Sequence, residues 1–151
     1  MDPPFFRAVP AQWASGVTVV TTAGNGDGRR YGTTASSFSS VAVDPPLISV
    51  CLASAGSTYR MIRRSGVFAV NMLGHDHRDI SDRFANGDWD TAWTGSPVLA
   101  DSLAWLDCVV TACHPAGDHT ILLGSVQDAA TPRSAAPLLY HARTYYEGLV
   151  R

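Results

Sequence analysis

The sequence contains no lysine; all 11 of its basic residues are arginine. That excludes Schiff-base chemistry and the lysine-dependent phosphate loop. Cysteine is sparse too: Cys51, Cys108 and Cys113 all lie in strand-like surroundings. An odd number with no CxxC pair supports neither a disulfide framework nor a redox or metal motif. No apolar run approaches the length of a membrane-spanning helix. The opening MDPPFFRAVPAQW lacks the charged and apolar regions of a secretory signal. A net charge of −2 gives no electrostatic attraction to nucleic acid or an anionic membrane. The expectation is a cytoplasmic protein with no nucleic-acid or membrane partner.

What is present fits a single domain over residues 1–151, long enough to bury about two-thirds of its unfolded surface. A hydrophobic share of 46% against 16% charged residues leaves apolar surface for a subunit interface. Phe5 to Ala14 has helical spacing at Phe6, Val9 and Trp13, with Pro10 expected to break it. Gly16 to Thr22 is a β-branched run that reads as a buried strand. Gly24 to Gly28 has GxGxG rather than GxGxxG spacing and no helix pattern after it. It therefore reads as a hairpin turn and not as a nucleotide loop.

Tyr31 to Val43 is expected to be the second strand, and Leu47 to Leu52 the third. A small-residue loop, Ala53 to Thr58, leads into a short helix capped by Ser57 or Thr58. Val67 to Leu73 is a further strand. Asp76 to Ala85 reads as a helix capped by Asp76, with Ile80 and Phe84 as an i,i+4 pair. Asn86 to Gly95 reads as a loop. Leu103 to Cys113 and Thr120 to Val126 are long strands around a turn at His114 to His119. Pro137 to Tyr140 and Thr144 to Tyr146 close the chain. Many strands, tight turns and a few short helices predict a mainly β fold, an antiparallel barrel.

The stretch GTTASSFSSVAVDPP (Gly32 to Pro46) stands apart. Its serines and threonines bury little area, so a core does not call for them at this density. They suit an exposed hydroxyl-rich edge strand, or equally a backbone lying close to a flat polar ligand. His75, Asp76, His77 and Asp79 lack metal-ligand spacing and read as a helix start with solvent-exposed imidazoles. No GxSxG elbow and no discernible pair of catalytic carboxylates is present. Gly117-Asp118-His119 reads in two ways. Asp118 fixes the His119 tautomer at a binding rim, or the glycine and acid simply make a turn. Arg60, Arg63, Arg64 and Arg83 suit either an anion site near the helix start or a solvated helix face.

Taken in order, GVTVVTT, GTTASSFSSVAVDPPLISVCL, SGVFAVNML, RFA, SPVL, LDC, AGDHTILLGSV and PLLYHARTYY carry a resemblance over roughly residues 7–149. Together they resemble the flavin reductase components of two-component flavin-dependent monooxygenases. TASSF, FAVN and GDH are the most diagnostic parts. The resemblance implies a split β-barrel of Greek-key type and a homodimer with flavin near the subunit interface. It further implies FMN or FAD as cofactor, NADH or NADPH as hydride donor, and a separate monooxygenase receiving reduced flavin. Thr33, Thr34, Ala35, Ser36 and Ser37 would run along the flavin ring, together with Cys51. Ala53, Ser54, Ser57 and Thr58 would approach the ribityl chain and phosphate. Arg83, Phe84, Ala85 and Tyr145 would border the pocket. Gly117, Asp118 and His119 would line the nicotinamide side, with His119 as the catalytic residue. The same barrel is also compatible with a non-catalytic flavin-binding module or a self-contained flavoprotein oxidoreductase. The chain departs from the family pattern at Pro10 and in a shorter loop after Phe84.

Overall fold

The computed structural model describes residues 1–24 and 26–148, and for Ala85 the backbone only. Asn25 of the expected hairpin turn and the last residues of the expected single domain lie outside the described residues. The chain begins with α1 (Pro3–Ala8), a 3₁₀ turn (Pro10–Gln12) and β1 (Ser15–Gly16). It continues through β2 (Thr18–Ala23), β3 (Arg30–Ala35), β4 (Ser39–Ala42), β5 (Leu47–Ala53), α2 (Ser57–Ser65) and β6 (Val67–Met72). Next come α3 (Arg78–Asp82), a second 3₁₀ turn (Phe84–Asn86), β7 (Trp89–Thr91) and β8 (Pro97–Leu99). The chain closes with β9 (Ala104–Ala116), β10 (His119–Ala130), β11 (Leu138–His141) and β12 (Thr144–Glu147). The strand pairs are antiparallel, and the main sheet has seven strands in the order β3-β2-β6-β9-β10-β5-β4.

Alternation along β2 divides the core in two. Val20 points to one face and joins Val50, Ile62, Phe68, Val70 and Leu122. Val19 points to the other and joins Val17, Leu73, Ile80, Leu99 and Leu138. β2 is buried on both faces, and its threonines tolerate this because their hydroxyls are paired. Thr18 donates to the Ala35 carbonyl at 2.7 Å and Thr22 to the Val67 carbonyl at 2.9 Å. Phe68 is fully buried, and truncating such a ring costs about 3–5 kcal/mol. Its ring lies against Gly124, where any Cβ would collide with it. The β9–β10 ladder slips register at that point.

Several expected boundaries move. Tyr31 to Val43 is not one strand but two, β3 and β4, at opposite edges of the sheet. Ser36, Ser37 and Phe38 between them are outside any strand. Ser37 bonds the main chain of β5 in place of a ladder partner, while Phe38 packs against the first core. The N-terminal helix starts at Pro3 and ends at Ala8, before Pro10, with none of its residues buried. The cap of α2 is Gly56, which places Ser57 and Thr58 inside the helix. α3 is five residues long and follows His77, not Asp76. Phe84 lies beyond it yet still packs with Ile80 in the second core.

The His77 imidazole corrects the expectation of exposure most sharply, because it is 3% exposed. Its Nδ1 accepts the Gly74 N–H at 3.2 Å, and its Nε2 lies 3.1 Å from an Asp101 carboxylate oxygen. Asp76 caps no helix; both its oxygens accept from the Arg133 guanidinium. That ion pair, with the His75 N–H donated to the Ala136 carbonyl, ties the segment before β11 to the segment after β6. Arg133 holds the Asp76 carboxyl well below the usual carboxylate range.

A depressed carboxylate contributes stability above its unfolded pKa and loses it as pH falls toward the folded value. Asp76 is 46% exposed, so the contribution is that of a partly solvated pair, about 0.5–1 kcal/mol. Asp76→Asn should lower urea-unfolding stability by that amount near neutral pH. The gap to the unmodified protein should close as the pH is lowered from about 5 toward 2. A gap that stays constant over that range would remove the ion pair from this account.

Candidate functional site

Strand β3 forms one edge of the main sheet, and β5 lies one strand in from the other edge. The sheet curls until these two approach each other across a seam, and the site is built there. The Ser37 hydroxyl donates to the Cys51 carbonyl and accepts from the Cys51 N–H, both at 2.9 Å. The β4–β5 register pairs Ser39 with Ser49, so Ser37 stands where the next ladder pair would fall. One side chain does there what a strand partner's main chain would do. Thr34 donates to the Ser81 carbonyl at 2.7 Å, and Ser81 donates to the Tyr145 hydroxyl at 2.8 Å. The Ser36 hydroxyl is exposed and has no protein partner among the described residues.

A cleft of about 350 Å³ follows the seam, lined by Thr33, Thr34, Ala35, Ser36, Ser37, Cys51, Leu52, Ala53 and His119. A second recess of about 150 Å³ continues past Thr33 and Ala53 to Gly56, Ser57, Thr58 and Tyr59. It ends at the start of α2, whose cap Gly56 carries no side chain, leaving first-turn N–H groups without a side-chain acceptor. A third recess of about 210 Å³ brings Tyr140 and Tyr145 against Thr34 and Ser36. Tyr145 is held from behind by Ser81 and by the Arg78 guanidinium, 5.6 Å from its ring centre.

His119 opens β10 opposite Ala53, on the same face as Cys51 and Ile121. Gly117 has φ of +64° and begins the two-residue turn that delivers it, a conformation glycine adopts at no steric cost. His119 Nδ1 lies 2.7 Å from an Asp118 oxygen. A carboxylate only accepts, so Nδ1 carries the proton, and Nε2 has no protein partner among the described residues. The hydrogen bond from His119 holds the Asp118 carboxyl below the usual range, with its charge and that of Arg7 adding to the effect.

Of the residues singled out in the sequence, the structure therefore gathers Thr33 to Ser37, Cys51, Ala53, Ser57, Thr58 and His119 into continuous recesses, with Tyr145 beside them. Others lie elsewhere. Ser54 bonds the Thr120 hydroxyl at 2.9 Å and fastens the loop to β10. Phe84 packs against Gly32 and Trp89 and, like Arg83, lines none of these clefts. The side chain of Ala85 lies outside the described residues. The arginines do not converge: Arg60 donates to the Ala55 carbonyl, while Arg63 and Arg64 sit at the far end of α2. Sequence reasoning did not single out Ser81, which holds Tyr145 from behind, or Tyr140, which lines the third recess.

The chain matches the flavin reductase like domain over residues 11–149. It is 35% identical to the reductase subunit of a flavin-dependent monooxygenase from Rhodococcus jostii, covering 99% of this chain and 79% of that protein. Among solved structures, the flavin reductase PheA2 in its native state superposes with a TM-score of 0.92 at 34% identity, over 100% of both chains. The NADH:FAD oxidoreductase of Streptomyces globisporus, solved with NAD and FAD fragments, superposes with a TM-score of 0.88 at 29% identity. That match covers 96% of this chain and 92% of the other. With the seam and its recesses formed by the same segments that carry the match, this chain belongs to the flavin reductase-like domain family.

Proposed function

We propose that this protein is an NAD(P)H-dependent flavin reductase, moving a hydride from a reduced nicotinamide to FMN or FAD and passing reduced flavin to a separate monooxygenase. The observation that carries this reading is the chemistry of the seam. Its cleft offers hydroxyls, main-chain groups and one imidazole, and the residues lining it include no carboxylate. Such a lining positions a flat ring and needs no acid–base pair. A bound flavin supplies the electron-accepting ring system. The main chain and hydroxyls of Thr33 to Ser37 orient that ring and stabilise negative charge developing on it. The free N–H groups at the start of α2 suit the flavin phosphate. His119, oriented by Asp118, stands on the nicotinamide side.

The curled sheet with β3 and β5 facing across a seam supports a split β-barrel of Greek-key type. We further infer a cytoplasmic homodimer of single-domain subunits. Val41 in the edge strand β4 and Val43 just after it are 51% and 89% exposed, and Ile121 is 38% exposed. An edge with apolar side chains in water is a surface that favours pairing. Sedimentation should give twice the 16.1 kDa chain mass, and a single-chain mass at micromolar concentration would refute the dimer.

Purified protein should accelerate NADH or NADPH oxidation when FMN or FAD is added. A rate no higher than the uncatalysed background would end the reductase proposal; tight yellow flavin retention without turnover would point to a binding module. His119→Ala should raise the KM for the nicotinamide or slow flavin reduction by about tenfold, while the flavin Kd changes much less. Equal losses in both would move His119 off the nicotinamide side. Ser36→Trp places a bulky ring where the recesses meet without breaking the Ser37–Cys51 bonds. Flavin fluorescence titration should then show binding abolished, and unchanged affinity would mean that the flavin lies elsewhere.

A further inference from the structure

Beyond His119 the seam opens into a wider trough of about 910 Å³, whose lining includes Arg7, Trp13, Ser36, His119, Tyr140 and Arg143. Ser36 and His119 line both this trough and the flavin cleft, so the two are continuous. We infer that Arg7 and Arg143 form a cationic clamp for the diphosphate of the nicotinamide dinucleotide, with Trp13 as the platform for its adenine. The inference rests on the reductase reading above and extends it to the half of the donor that does no chemistry.

Four observations carry it. The trough lining has two guanidinium groups and no carboxylate, the balance that a diphosphate needs. Neither arginine forms an ion pair among the described residues. Trp13 is 81% exposed, an unusual amount of bare indole for a side chain that would otherwise bury its ring. The backbone at Arg143 is also strained. Ala142 and Arg143 have φ of 47° and 64°, a left-handed region in which neither has glycine's freedom. The turn is anchored by the Ala142 N–H, which donates to the Ala11 carbonyl at 2.7 Å, and so it is fixed beside the 3₁₀ turn that precedes Trp13. Strain maintained by a specific anchor, with an arginine where glycine would be easier, points to a task for the side chain.

The roles divide along the donor. The nicotinamide lies at His119, where the flavin cleft begins. The diphosphate accepts from Arg7 on α1 and from Arg143 on the β11–β12 turn. The adenine stacks on Trp13. This also accounts for the absence of a glycine-rich dinucleotide loop, because side-chain guanidiniums take the place of a helix N-terminus.

The test compares NADH with N-benzyl dihydronicotinamide, a hydride donor lacking both diphosphate and adenosine. Arg143→Gly removes the guanidinium and relieves the positive φ, so the variant keeps its fold. The ratio of kcat/KM for NADH to that for the truncated donor should fall about tenfold, as for one lost charge-assisted bond. Arg7→Gln should lower the same ratio. Calorimetric titration with ADP-ribose reads the clamp without turnover, and each arginine variant should weaken its Kd about tenfold. Trp13→Ala should weaken it too. Unchanged donor ratio and unchanged ADP-ribose affinity in both arginine variants would overturn the clamp, as would failure of ADP-ribose to bind because a second copy covers the trough. If neither donor is oxidised with flavin present, the reductase reading falls, and ADP-ribose binding still decides the clamp.

Discussion

Both main-chain groups of Cys51 are satisfied by the single hydroxyl of Ser37, and the seam depends on that bond pair. The chain leaves one edge of the sheet at Ala35 and joins the other at Ser39, with only three residues to make the passage. A main-chain ladder carried through this passage would leave no seam between β3 and β5. Leaving the Cys51 groups unpaired would carry the cost of a half-buried orphan donor and acceptor. A serine at this point satisfies the edge without closing it. The cleft, its polar lining and its access from solvent all follow from this arrangement.

Polar residues elsewhere in the fold act in the same economical way. The Thr34–Ser81–Tyr145 chain sets an aromatic ring beside the cleft from an element that never touches it. Asn71 donates to the Val19 carbonyl and accepts the Leu99 N–H, linking the main sheet to the small β7–β8 hairpin through a buried amide. Asp107 is buried on β9, and burial raises its carboxyl above the ordinary value. Thr94 donates to it from both main chain and side chain, which fixes the loop of the same hairpin. The Cys108 thiol beside it is pushed up to about 12 by burial and packs as an apolar group. Asp107 and Cys108 thus serve packing, and the cleft is lined by hydroxyls, main chain, the Cys51 thiol and one imidazole.

Much of this was legible in the sequence because local physics decides it. The β-branched run at Thr18 to Thr22 read as a strand and forms one; a turn was expected over His114 to His119, and the structure narrows it to Gly117-Asp118 by carrying β9 on to Ala116. The serine and threonine density of residues 33–40 drew attention to a segment whose first half, Thr33 to Ser37, lines the cleft. Its division into two strands was not legible, because the break depends on where β5 lies and not on the propensity of Ser36 to Phe38. The segment Asp76 to Ala85 misled for a related reason. Asp76 is a good cap by type, but Arg133, 57 residues away in sequence, takes both its oxygens. His77 was expected in solvent for the same reason, since Asp101 and Gly74 surround it only in the folded chain.

Sequence alone determined the main strands, the hairpin turns and the family to which the ordered motifs belong. These follow from residue type and short-range spacing. Only the tertiary structure decided that Ser37 bridges Cys51, that Ser54, Arg83 and Phe84 line none of the clefts, and that Arg7 and Arg143 share one trough with His119. Those outcomes depend on segments far apart in the chain meeting across a curled sheet, and no local pattern encodes such a meeting.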